Sequence, residues 1–147
     1  MKHLIAGSVL CTAIICLFSC TKVDNGGTDK PKETLVLGMW SINRIQQKIY
    51  YSGVFNRDTI VPAKALPKNY VKFDGATDFY YCFNSASTNS GTYQFKGADS
   101  VISTTPSKIY RWKMLTLTDV LFTVMSTSTT DPAYPGAKVE TYQTFVR

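Results

Sequence analysis

Few side chains in this chain can do covalent or acid–base chemistry, and their positions narrow the choice further. The only histidine is His3, and the cysteines stand at positions 11, 16, 20 and 82. Everything beyond residue 3 lacks an imidazole, so serine–histidine triads, cysteine–histidine dyads, the usual zinc sites and any imidazole acid or base are excluded by inventory. Carboxylates, lysines and tyrosines are left. The pair best spaced for work is Asp74 and Asp78, on either side of Gly75. Two carboxylates in a cleft can divide acid and base roles between them, or take up calcium. The stretch, however, lacks the alternating oxygen donors and distal glutamate of an EF-hand loop, and Asp-Gly is foremost a turn signal. We read it as a turn, and expect no enzyme activity, no cofactor and no metal site.

One thiol has a special context. Met1-Lys2-His3 is a basic start, residues 4 to 18 carry no charge, and Leu17-Phe18-Ser19 leads into Cys20. A helix over that apolar run reaches about 22 Å, short of a bilayer core of about 30 Å, so a spanning anchor is the weaker reading. A basic start, an apolar run, Leu and Ser before the cut and Cys after it resemble a bacterial lipobox. The resemblance implies that residues 1–19 are a signal peptide, that Cys20 receives a diacylglyceryl group on sulfur and becomes the mature N-terminus, and that its amine is acylated. Two or three acyl chains anchor stably, each buried methylene contributing about 0.8 kcal/mol. The expected place is the bacterial cell envelope, on the outer membrane, with the membrane as partner through the N-terminal lipid. Cys11, Cys16 and His3 would leave with the leader, and Cys82 would be the one thiol not lipidated, so no intramolecular disulfide is expected.

The formal net charge of +6 is spread over scattered residues such as Lys48, Arg57, Lys72, Lys96, Lys113 and Lys138. No block or stripe forms, so nucleic acid is not an expected partner. Residues 20–33 read as a flexible linker: Thr21 to Glu33 has Gly26-Gly27, a proline, charges and a single aliphatic residue, Val23, and cannot pack. Its reach is about 20 Å.

From residue 34 to 147 the chain reads as one all-β domain, rich in β-branched and aromatic residues with turn signals at short intervals. Trp40 and Ile42 share one phase, and Ile45, Gln47, Ile49 and Tyr51 share the other. A slip of one residue within a long strand predicts a bulge or sharp bend. Further strands are expected over Arg57–Val61, over the hairpin Tyr70–Phe73 and Thr77–Phe83, and over Thr92–Phe95, Val101–Thr104, Ile109–Leu117, Val120–Met125 and Lys138–Arg147. Loops are expected over Pro62–Pro67, Asn84–Ser90 and Ser126–Ala137. Short strands in series with local connections give an antiparallel up-and-down barrel of about eight strands, closed so that it has no edges.

Gly38-x-Trp40 at the head of the first strand, the Phe73-Asp74-Gly75 hairpin and the terminal Thr144-Phe145-Val146-Arg147 resemble bacterial lipocalin-like domains. The resemblance covers about residues 34–147. It implies an eight-stranded barrel whose Trp40 plugs the closed end, a basic side chain from the last strand, here Arg147, stacked on that tryptophan, and apolar small molecules held in the cup.

Two functions fit these features. The first is a lipid-anchored, non-catalytic binder of a small apolar ligand, lined by Phe73, Phe79, Tyr81, Tyr93, Phe95 and Trp112; the same rings in strands equally suit a packed core. The second is a structural or interaction module of the envelope with a filled barrel, meeting a protein or glycan through loops such as Asp131–Pro135. An interior void of a few hundred cubic ångströms would favour the first, and a filled interior the second.

Overall fold

The structure is a computed structural model that describes residues 30–62, 69–83 and 87–147. The expected signal peptide, Cys20, most of the linker, the loop after Pro62 and the beginning of the loop after Phe83 lie outside the described residues. Among the described residues a single helical turn, α1 (Lys32–Leu35), precedes nine strands: β1 (Gly38–Tyr51), β2 (Val54–Pro62), β3 (Tyr70–Asp74), β4 (Asp78–Cys82), β5 (Asn89–Lys96), β6 (Ser100–Thr104), β7 (Ile109–Leu117), β8 (Leu121–Ser128) and β9 (Ala137–Val146). Neighbours pair antiparallel in the order β2-β1-β3-β4-β5-β6-β7-β8-β9, and β9 returns to pair with β1. β1 and β3 to β9 thus close an eight-stranded barrel, and β2 is an additional strand on the edge of β1.

The change of phase in the first strand is a bulge. Against β9 the register slips between Ile42 and Arg44, leaving Asn43 as the extra residue. Trp40 and Ile42 are buried before it, and Ile49 is buried after it on the opposite parity. The bend has a second consequence. β1 pairs with β3 only over Gly38–Ser41, and from Arg44 onward the same edge of β1 takes β2 instead.

A matching divergence stands across the barrel. β7 and β8 share rungs from Leu117↔Phe122 to Lys113↔Met125, with a slip between Met114 and Thr116. Above Lys113, β7 pairs only with β6, up to Ile109↔Thr104, and Ser126–Ser128 of β8 pair only with β9. The barrel is therefore closed all round at one end and divides toward the other into two sheets, β2-β1-β9-β8 and β3-β4-β5-β6-β7.

The closed end holds the core. Trp40, Phe73, Phe79, Phe122, Phe145, Val101, Met114 and Leu117 are buried there together with Leu35 and Val36 from α1 and the residue after it. Several boundaries differ from those expected, β2 beginning at Val54 and β5 at Asn89 among them, and two have a clear physical cause. The end of the linker is drawn onto the barrel because Leu35 and Val36 bury apolar area, and Lys32 fixes the turn by donating to Gly97 O at 2.5 Å with its ammonium 4.9 Å from the Phe95 ring. Ser126-Thr127-Ser128, polar enough to be expected as loop, is strand, because β9 supplies a ladder for it through Thr141, Glu140 and Val139. Gly91 on β5 also has a packing reason: a Cβ there would collide with the carbonyl of Thr104.

Candidate functional site

Gly38, Trp40 and Arg147 converge at the closed end. The guanidinium carbon of Arg147 lies 4.0 Å from the Trp40 ring centroid, and its Nη2 donates to Leu35 O at 2.8 Å and to Leu37 O. Burial draws the Arg147 pKa below its ordinary value. The indole of Trp40, fully buried, donates from Nε1 to Val36 O at 2.6 Å. Gly38 has φ +104°, and a Cβ on it would sit 3.6 Å from Arg147 Nη2. Strand end, strand start and α1 are thereby tied by one side chain, with a backbone conformation that favours glycine beside it.

The six aromatic residues named from the sequence form a continuous column. Phe73 meets Phe79 at 5.3 Å and Tyr93 at 5.0 Å between centroids, Tyr93 meets Phe95 at 5.9 Å, and Phe79 meets Tyr81 at 5.6 Å and Trp112 at 5.9 Å. Phe73 and Phe79 are fully buried, and Phe95 packs half-buried against the cluster. Of the six, Trp112 is the one that lines the cavity beside the column. Asp74 and Asp78 both sit exposed at their hairpin, and Asp74 is held 2.6 Å from Lys72, whose hydrogen bond lowers the carboxyl pKa. Among the described residues no cluster of three or more acids, cysteines or histidines could hold a metal.

The open space is a cup of about 650 Å³ in the divided half of the barrel. On the β3-to-β7 side the cup is lined by Phe83, Tyr110 and Trp112. On the β1-β9-β8 side Gln47, Ser126, Ser128, Thr141 and Gln143 line it, with Ile45 beside its rung partner Gln143. Lys108, Arg111 and Asp131 stand among its borders, and the Lys108 ammonium lies 5.0 Å from the Tyr110 centroid. Burial, followed by the neighbouring Tyr81, pushes the Tyr110 pKa up to about 12, so at neutral pH the phenol is a hydrogen-bonding group and not an anion.

Sequence reading had not singled out the polar wall. Its signal lies in the alternation: Val139, Thr141, Gln143 and Phe145 keep one phase along β9, and Val139 and Phe145 are buried. Two polar residues between buried ones on the inward parity mark an interior that is wet or occupied, not a solvent face.

Fold and cup together define a small antiparallel barrel with a filled base and a two-faced cup, a geometry suited to binding. No protein-family model matches the chain, and comparison with curated proteins gives no match.

Proposed function

We propose that this chain is a lipid-anchored bacterial envelope protein, attached through Cys20, whose lipocalin-like barrel carries one small amphipathic molecule in its cup without altering it. The observation that supports this most is the cup itself: about 650 Å³ lies within the range of small-molecule sites, and its walls divide into an aromatic face and a face of amides and hydroxyls. A purely apolar ligand would leave Gln47, Thr141 and Gln143 without partners, so the ligand presents a ring or chain to Trp112 and hydrogen-bonding groups to β9. The filled base contributes stability and holds the cup's floor rigid.

The test is a titration of the full chain, in phosphatidylcholine nanodiscs with empty discs as blank, using 2-naphthol as a neutral two-ring amphiphile. One molecule should bind per chain, and Thr141→Trp, which fills the cup, should abolish binding. Binding that survives the filled cup would place the probe elsewhere and remove the reading. The lipid anchor is tested separately: Cys20→Ala should leave the precursor uncut and unlabelled by a clickable fatty acid.

A second reading, an interaction module, is favoured by the hairpin of β1 and β2, where Tyr51, Val54, Phe55 and Ile60 expose apolar side chains. An envelope protein or glycan recovered by cross-linking from Phe55 and lost in Phe55→Ser would support it.

A further inference from the structure

The cup has a second cavity behind it. On the outer side of β6, β7 and β8 lies a groove of about 280 Å³ that shares Arg111, Trp112, Ser126 and Thr127 with the cup's lining. These four residues flank the stretch where β7 and β8 no longer share rungs, since the last rung is Lys113↔Met125. Continued for two rungs, that ladder would pair Trp112 with Ser126 and Arg111 with Thr127; it stops where the two cavities meet. The opposite divergence, where β1 leaves β3, differs in kind, because β2 occupies the freed edge of β1.

The groove is cationic. Lys96, Arg111 and Lys113 all border it. Lys113 has one acid near it, Asp99 at 3.7 Å, and among the described residues Lys96 and Arg111 have no ion-pair partner. Asp131 borders the cup and does not border the groove. Three cations, of which Lys113 alone has an acid beside it, gathered on the outer side of a gap with an indole lining the cup on the inner side, match a molecule with an anionic head and a flat apolar body.

We propose that the gap between β7 and β8 is a lateral binding subsite, in which a sulfonate, phosphate or carboxylate head rests among Lys96, Arg111 and Lys113 while the apolar body passes the gap to lie on Trp112. This rests on the cup being a ligand site and adds the charge class of the ligand and the side from which it is held. The ligand is a free anionic amphiphile. A headgroup in a membrane offers the same chemistry, and the two are separable by experiment.

The full chain in phosphatidylcholine nanodiscs is titrated with naphthalene-2-sulfonate and with 2-naphthol at low salt, where charge is least screened. The sulfonate should bind at least about fivefold tighter, consistent with a charge-assisted contact. Lys96→Gln together with Lys113→Gln, neither of which lines the cup, should reduce that ratio to near one and leave 2-naphthol binding as it was. A ratio that survives this pair of changes and falls with Lys108→Gln would place the head at the mouth and overturn the lateral subsite. Equal affinity for the two probes in the unaltered chain would overturn the anionic class while leaving the cup in place. Binding of neither probe removes the cup reading and the subsite with it. Replacing phosphatidylcholine by phosphatidylglycerol should leave the ratio unchanged; its loss would overturn the free amphiphile in favour of a lipid headgroup.

Discussion

The guanidinium carbon of Arg147 stands 4.0 Å above the Trp40 ring, joining the end of β9 to the beginning of β1 at the closed end of the barrel. Its Nη2 also holds the carbonyls of Leu35 and Leu37, so the same group caps the segment entering the barrel. The end of β9 is fixed by a planar cation over an indole and by charge-assisted hydrogen bonds. Arg147→Ala should therefore cost about 2 kcal/mol of stability, from a cation–π contact of about 0.5–2 kcal/mol and the lost bonds. Arg147→Lys should recover less than half, since an ammonium cannot both stack and fork. Urea midpoints at constant m-value measure both, and a lysine variant equal to the parent would contradict the fork geometry.

Ser103 gives the opposite sign. Its hydroxyl is fully buried on β6, between the partners Tyr93 and Tyr110, and its Oγ has no hydrogen-bond partner among the described residues. A buried hydroxyl without a partner carries its desolvation cost unrelieved, so Ser103→Ala should be neutral or stabilise by up to about 1 kcal/mol. A clear loss of stability would show that the hydroxyl is satisfied in solution.

Glu140 supplies the pH dependence. On β9 it lies 2.8 Å from Lys138 Nζ and accepts from Tyr142 Oη at 2.9 Å and from Tyr50 Oη at 3.2 Å. The Lys138 hydrogen bond chiefly holds its carboxyl below the ordinary 4.5, against an opposing effect of burial. A depressed pKa contributes stability that is complete above 4.5 and is lost as the pH falls through the lower folded-state value. Glu140→Gln should thus melt below the parent at pH 7, and the difference should shrink as the pH falls below 4.5 and disappear once it has passed the lower folded-state value. A difference that stays constant across that range would mean that the carboxylate is not what is lost. The partner Tyr142 is pushed up to about 12, by burial first and then by Glu140, so it remains a donor throughout.

Much of this was legible in the chain because periodicity of two is a strong constraint. The slip from Trp40 and Ile42 to Ile45 and Ile49 located the bulge at Asn43 to within a residue, since the phase can change only where a residue is inserted. The Asp74-Gly75 turn and the strand Ile109–Leu117 were equally plain. The turn Lys32–Leu35 was hidden because its polar residues read as linker, and only the burial of Leu35 and Val36 against the barrel makes it helical. Val54 and Phe55 fell outside the expected strand Arg57–Val61 because Ser52-Gly53 and Asn56 are turn signals on either side of them; in the fold they extend β2 along the edge of β1. The site was harder to read than the fold. Aromatic rings in strands mark both cores and cavities, and five of the six chosen pack on one another away from the cup, whereas the polar wall of Gln47, Thr141 and Gln143 looks in sequence like a solvent face. Deciding between these needs the separation of β7 from β8, a tertiary property that no local pattern encodes.

Native mass spectrometry of the full chain, gently purified from its source cells, tests the occupied cup most directly. A population carrying one extra small mass of a few hundred daltons is expected, displaced by excess 2-naphthol and missing from Thr141→Trp. A chain that is bare in every charge state, or an added mass that persists when the cup is filled, would contradict a ligand held there.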